Sequence, residues 1–264
     1  MQENRRAAAE HLIPQIADGD RGAFDSLYRL TADWLHALCL SVLNDRQQAE
    51  VAVQAVFQRI WTDAGQQKAS GLSALAWLVV VTRAQAMTGA APVLSPGESV
   101  PVRPGPLRET LAALPVPAAA ALITAAQKGM AADDDALLDA AILAIAAPPE
   151  DQAADEVAAA RVALNLPATA AQPDPAFAAR VRGWQERIAV IAGDVTPVLV
   201  PARAKLNLDR ALGHAQPSDM GDIVIKGRGR PSGDREGGGW FWIILLAVLL
   251  IGGAVIVFWP RIAP

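Results

Sequence analysis

The chain has 264 residues, which is enough for one large domain or two small ones. Only 5% of its residues are aromatic and alanine is abundant, a composition that favours packed helices over sheets. The formal net charge of −4 excludes an overall basic surface for nucleic acid, and the single cysteine, Cys39, excludes an intramolecular disulfide framework.

Residues 10–90 are predicted to form a first helical domain. A proline-, glycine- and serine-rich stretch, APVLSPGESVPVRPGP, follows over residues 91–106 and is interpreted as a linker. The helical prediction for the first domain rests on apolar residues that recur at helical spacing: Ile16, Phe24, Leu27, Leu30, Leu35, Leu38 and Val42.

Residues 107–214 are predicted to form a second helical domain. One of its segments, DDDALLDAAILAIAAP, opens with carboxylates, which favour the positive end of a helix dipole. A later segment, DPAFAARVRGWQERIAVIAGDV, carries an apolar stripe spaced by three and four residues: Phe177, Val181, Trp184, Ile188 and Ile191.

The C-terminal part predicts a membrane anchor. Residues 215–239 are rich in Gly, Ser, Pro and Asp and are interpreted as a flexible tether. Residues 240–259 then give about 20 uncharged positions, the length needed to cross a bilayer. Trp240, Trp242 and Trp259 are candidate interface anchors at the two ends of this span. The basic residues that precede the span predict a single-pass protein with a cytoplasmic N-terminus.

The predicted fold class is all-α, with two small helical bundles, a flexible tether and one C-terminal transmembrane helix. The sequence contains no P-loop, dinucleotide-binding glycine motif, HExxH or G-x-S-x-G motif, and no convergent set of acid, base and nucleophile. His36 and Cys39 share a helical face, but two ligands are too few for a zinc site. We therefore expect no enzyme activity, no catalytic residues, no metal and no cofactor.

Three motifs in the first block carry a family resemblance. The stretch from about residue 15 to 90 resembles region 2 of bacterial RNA polymerase sigma factors of the extracytoplasmic-function type. The opening motif, GD-x-x-AF-x-x-LY, is Gly19, Asp20, Ala23, Phe24, Leu27 and Tyr28. A later helix keeps Ala49, Glu50, Gln54, Phe57 and Trp61, and a further one keeps Ala76, Trp77, Leu78 and Arg83.

The departures from that family concern its two binding surfaces. The resemblance implies acidic residues facing the polymerase clamp at positions 51 and 55, where this chain has Val51 and Ala55. We expect weak or no contact with core RNA polymerase through Val51, Gln54 and Ala55, because charge-assisted contacts are lost. The family's basic run after Arg83 is also missing, so we do not expect DNA binding.

The second block resembles the end of the cytoplasmic domain of membrane anti-sigma factors of the anti-sigma-K type. This resemblance implies that the helices bind a sigma factor and hide its polymerase-binding surface. Phe177, Trp184 and Ile188 are candidate anchors for that partner, although an internal core is the more common role of a residue such as Trp184. The matching residues are Val181, Trp184, Glu186, Arg187, Ile188, Ala189, Val195, Pro197, Val198, Pro201 and Leu208.

The main prediction is therefore an anti-sigma factor of the bacterial inner membrane, in contact with the lipid bilayer and with a sigma factor as partner. The sigma-like half would either occupy the clasp of its own chain, with Val51 and Ala55 facing the other half, or keep weak polymerase or DNA contact. The alternative prediction is a sigma-like factor that acts in transcription initiation and binds DNA and core polymerase. A third possibility is a tail-anchored scaffold without a role in transcription.

Overall fold

A computed structural model of the chain is all-helical over the residues that it describes. Ten α-helices and one short 3₁₀ turn, Glu150–Gln152, account for its regular structure in those residues. The described residues are 2–89, 92, 94, 96–98, 102–129, 134–168 and 174–214.

Four helices make up the first part of the fold: α1 (Gln2–Ala17), α2 (Arg21–Leu43), α3 (Arg46–Ser70) and α4 (Ala74–Thr88). Six more follow: α5 (Pro104–Ala113), α6 (Val116–Lys128), α7 (Asp135–Ala146), α8 (Ala153–Ala163), α9 (Pro175–Ala192) and α10 (Ala202–Ala211). The all-α class predicted from the sequence agrees with this architecture.

Short polar residues set the boundaries of α2, α3 and α4. The carboxylates of Asp20 and Asp45 and the hydroxyl of Ser73 accept hydrogen bonds from backbone N–H groups in the first turns of these helices. Asn44 ends α2 in the left-handed conformation, with a φ of 51°. The turns are therefore only two or three residues long, which brings consecutive helices side by side.

Gly71 ends α3 where the linker crosses over it. Its φ is 68°, a conformation that L side chains rarely adopt. A Cβ atom at this position would lie 1.7 Å from the carbonyl oxygen of Gly97. Because backbone atoms cannot yield as a flexible side chain would, only glycine fits at this crossing.

Helices of both predicted domains share one hydrophobic core. Helix α9 packs against α4, α6 and α8, while α6 also contacts α2. Trp34, Trp77 and Trp184 are among the largest fully buried side chains and all belong to this core. The described residues up to 214 belong to one compact unit, and residues 217–264 lie outside the described residues. The proposed boundary at the 91–106 linker stays a prediction.

The prediction of a location in the bacterial inner membrane is corrected. Among the helices in the described part of the chain, none is both long enough and apolar enough to cross a bilayer. The predicted tether 215–239 and the predicted span 240–259, with Trp240, Trp242 and Trp259, lie outside the described residues.

Candidate partner-binding site

The outer face of α3 forms a shallow, uncharged groove with parts of α2 and α4. Val51 is 67% exposed at its rim, while Gln54 and Ala55 are half-buried. The groove has a volume of about 390 Å³. It is lined by Leu43, Gln47, Gln48, Val51, Ala52, Ala55, Gln85 and Ala86. The structure thus brings Val51 and Ala55 together in the groove; Gln54 is on the same helix but does not line it.

One expectation about this face is wrong. Val51 and Ala55 do not face the C-terminal helices, because the lining of the groove comes from α2, α3 and α4 alone. The opposite face of α3 is buried through Val53, Phe57 and Ile60, none of which is more than 1% exposed. The helix therefore keeps its inner packing and offers an apolar, solvent-exposed outer surface.

The N-terminus of α4 is capped by a carboxylate from α9. The backbone N–H of Ser73 donates to Oε1 of Glu186 over 2.6 Å, and the Ser73 hydroxyl donates to Oε2 over 2.8 Å. A negative charge is favourable at this end of a helix, and Glu186 is only 3% exposed. The cap fixes α9, and with it the second helical block, onto α4.

Arg83, near the other end of α4, is held inside the protein. It is 1% exposed, and its guanidinium donates to the backbone carbonyls of Ala126 and Leu164. Both carbonyls lie at helix C-terminal ends, of α6 and α8, where the dipole favours a cation. Burial lowers the pKa of Arg83 to about 10, so it remains charged at neutral pH. In this arrangement Arg83 cannot contact a nucleic-acid phosphate.

The predicted anchors on α9 belong to the internal core. Trp184 is fully buried, Ile188 is 1% exposed and Phe177 is half-buried. The indole N–H of Trp184 donates to Oε1 of Glu156 on α8 over 2.8 Å, and the guanidinium carbon of Arg187 lies 4.7 Å from the centre of its ring. Phe177 and Ile188 line a cavity of about 580 Å³ between α4, α8 and α9. A separate partner would have to displace α9 to reach Trp184.

Residues 195–201 form an extended strap across α2. The backbone N–H of Val198 donates to the carbonyl of Asp33 over 3.0 Å, and the N–H of Val200 donates to its carboxylate over 2.9 Å. Nδ1 of His36 donates to the carbonyl of Val198 over 3.2 Å. The strap carries the chain from the end of α9 to α10.

Helix α10 lies against α2 and α3 with cations on both sides of an apolar ridge. Ala204 and Leu208, the ridge residues, are at most 1% exposed. Arg203 makes a bidentate pair with Glu50 of α3, with N–O distances of 2.6 and 2.7 Å. Lys205 pairs with Asp25 of α2 over 2.9 Å. The hydrogen bonds from Arg203 lower the pKa of Glu50.

The C-terminal end of α10 closes over aromatic rings of the first block. The imidazole centre of His214 lies 4.6 Å from the ring of Trp61 and 6.0 Å from that of Phe24. Sequence reasoning placed His214 only at a helix end and did not find these contacts. No local sequence pattern links residues so far apart in the chain. The one sequence feature that could have indicated this packing is the presence of cations on α10 that can pair with acids on α2 and α3.

Within the described residues, no group of three or more histidine, cysteine or acidic side chains is placed to hold a metal ion. The thiol of Cys39 is fully buried, and burial raises its pKa to about 12. A thiol in this state is a poor nucleophile and a poor ligand.

Comparison with known proteins bears on the first block. Residues 27–89 match the family described as Sigma-70 region 2. The block from α2 to α4 is similar to sigma-factor region 2. This agrees with the resemblance predicted for the first block, whereas the resemblance of the second block to an anti-sigma domain stays a prediction.

Curated relatives match the same part of the chain. The ECF RNA polymerase sigma factor SigK of Mycobacterium ulcerans is 33% identical over 76 residues, which are 29% of this chain and 41% of that protein. The proteins of the same name from Mycobacterium bovis (strain BCG / Pasteur 1173P2) and Mycobacterium sp. (strain KMS) are 29% identical over 76 residues, or 29% of this chain, and 41% and 39% of those proteins are covered. The chain thus spans about two fifths of the length of these relatives. No solved structure matches it significantly.

Proposed function

We propose that the protein is a sigma-factor-like regulator of transcription initiation that binds core RNA polymerase through the groove on α2, α3 and α4. The observation that carries this proposal is the open apolar surface around Val51 on the block that is similar to sigma-factor region 2. Exposed apolar patches of this kind commonly mark protein interaction sites. The names of the curated relatives support a role in transcription more than sequestration of a sigma factor.

The groove has no charged side chain in its lining, so apolar burial supplies the binding energy. We therefore expect the affinity for core polymerase to depend only weakly on salt concentration, since counterions screen charged contacts and leave apolar contacts in place. This differs from the binding of an acidic surface to a basic one, which weakens steeply as salt is added.

Promoter DNA is not a partner of α4 in this conformation. DNA binding needs exposed cations for phosphates and exposed groups for bases. Arg83 is buried, Glu186 occupies the N-terminus of α4, and α9 covers the helix. We propose that contact with DNA through α4 requires α9 to undock first.

The test is binding of the full-length chain to purified core RNA polymerase, measured by biolayer interferometry at two salt concentrations. Val51→Lys places a charge in the apolar groove and should weaken binding more than about tenfold. Val116→Lys is the matched control, because Val116 is 81% exposed at the start of α6. The proposal is wrong if the unchanged chain does not bind, or if both variants bind as the unchanged chain does.

A second candidate function is intramolecular anti-sigma action. The contact of Glu186 with Ser73 favours it, because the segment that resembles an anti-sigma domain covers α4 of the chain's own sigma-like block. Trp184 is already used inside the chain, which weighs against a separate sigma factor as the partner. Co-purification of a sigma factor with the intact protein would favour sequestration over the polymerase-binding function.

A further inference from the structure

We propose that α10 is a removable occupant of a receptor groove between α2 and α3, and that a basic amphipathic helix of a partner protein binds there when α10 leaves. The receptor groove is defined by Asp25, Tyr28, Glu50 and the aromatic rings of Phe24 and Trp61. It is a different surface from the uncharged groove around Val51, and this inference goes beyond the proposed function.

The receptor groove selects a helix with a defined pattern. An apolar ridge, Ala204 and Leu208, enters it with the spacing of one helical turn. Arg203 pairs with Glu50 on the α3 wall, and Lys205 pairs with Asp25 on the α2 wall. The cations thus flank the ridge, and each meets an acid on its own side.

A second contact of Lys205 strengthens the assignment to a basic helix. Its Nζ lies 5.4 Å from the ring centre of Tyr28, within the range of a cation–π interaction. The hydrogen bonds from Arg203 also lower the pKa of Glu50. Groove recognition of this kind combines apolar anchors at i and i+4 with charge complementarity.

Helix α10 is suited to leave the groove. It has only ten residues, and helices of that length are marginal without tertiary contacts. Its N-cap residue is Pro201, which makes no side-chain capping hydrogen bond. The side chain of Arg203 is 68% exposed, so solvent and salt screen its pair with Glu50. The outward side of the helix, with Leu206 and Arg210, is exposed.

The strap keeps α10 close to the groove after release. Val198 and Val200 are hydrogen-bonded to Asp33 on α2 upstream of the helix. Because the strap holds the helix nearby, its effective concentration is high and only a partner with better contacts displaces it. The groove is therefore closed by default and is opened by competition.

The probe for this proposal is a fluorescein-labelled synthetic peptide of residues 195–214, titrated into the full-length chain and followed by fluorescence anisotropy. Leu208→Asp in the chain removes the ridge of the internal helix and should let the peptide bind more than about tenfold more tightly than to the unchanged chain. Leu206→Asp is the matched control on the exposed side of α10 and should leave peptide binding as weak as in the unchanged chain.

The pairing of charges gives a second readout that a loss of folding would not produce. A peptide with Arg203→Glu should bind the Leu208→Asp chain more weakly than the unchanged peptide does. Adding Glu50→Arg to that chain should restore its binding. Hydrogen exchange reports whether α10 has opened, and near-ultraviolet circular dichroism reports whether the rest of the chain keeps its packing.

The proposal is overturned if α10 opens in the Leu208→Asp chain and the peptide still does not bind, or if Glu50→Arg fails to restore binding of the charge-reversed peptide. If Leu208→Asp disrupts the fold, Arg203→Glu in the chain replaces it, with Arg210→Glu as its control and the same outcomes. None of these measurements contains core RNA polymerase. Failure here leaves the proposed function standing, and failure to bind polymerase leaves this proposal standing.

Discussion

Helices α9 and α10 both pack on the sigma-like block, but their contacts are buried to different extents. Helix α9 packs against α4 and carries the fully buried Trp184, and its buried Glu186 is hydrogen-bonded to the half-buried Ser73. Helix α10 packs on α2 and α3 through two buried apolar side chains, Ala204 and Leu208, and through ion pairs at the protein surface. The difference teaches that α4 is buried as part of the core, whereas α10 makes a shallower contact, as the proposed exchange with a partner helix requires.

The largest expected effect on stability comes from Trp184, on the deeply buried helix α9. Trp184→Ala should lower the free energy of unfolding by about 3–5 kcal/mol, because it leaves a cavity and removes the indole hydrogen bond to Glu156. Urea unfolding followed by circular dichroism measures this change. Leu206→Ala, on the exposed side of α10, is the control and should change stability by less than about 0.5 kcal/mol. If both variants lose the same small amount of stability, the packing of α9 does not contribute to the core as described.

The next effect concerns the carboxylate that caps α4. Glu186→Ala should cost about 1–3 kcal/mol, since it leaves the N–H of Ser73 without this acceptor in a half-buried position. The same unfolding measurement applies, with the exposed Glu109→Ala as the control. If the variant loses no stability and α4 exchanges its amide hydrogens as before, the cap does not hold the two helices together.

A comparison of a negative and a positive side chain at position 51 tests whether the open groove contacts core polymerase. Val51→Asp also places a charge in the apolar groove, but it should weaken binding to core polymerase less than Val51→Lys does, because the resemblance to the sigma-factor family implies an acid at this position. Added salt should weaken the binding of Val51→Asp, because it screens an attraction, and should strengthen that of Val51→Lys, because it screens a repulsion. Interferometry over a range of salt concentrations checks both statements. Equal weakening by Asp and Lys would indicate a purely apolar partner surface.

The smallest effect concerns α10, whose opening is expected to depend on pH. The pKa of Glu50 is lowered in the folded state, so its contribution to the closed form is fully present above the ordinary carboxyl pKa. That contribution is lost as the pH falls through the lowered value. Hydrogen exchange of the α10 amides should therefore accelerate at acidic pH in the unchanged chain. In Glu50→Gln, the α10 amides should exchange faster at neutral pH and their exchange should accelerate less in acid. If the variant and the unchanged chain show the same pH response, Glu50 does not control the closure of α10.

Sequence reasoning found the elements better than their arrangement. Helical periodicity and capping residues such as Asp20, Asp45 and Ser73 are local, so the helices of the first block follow from the chain itself. The anchors Trp184 and Ile188 were placed on one face correctly, yet periodicity cannot say whether that face meets the chain's own core or a partner. The direction of Val51 relative to the second block was wrong for the same reason.

The sequence by itself determined the all-helical character, the similarity of α2–α4 to sigma-factor region 2 and the loss of charge around Val51, because each depends on residue identity and short-range spacing. Tertiary structure alone decided which surfaces remain open. Glu50 meets Arg203, and Ser73 meets Glu186, across more than a hundred residues of chain. Such pairings depend on how helices pack in space, and no local pattern encodes that packing.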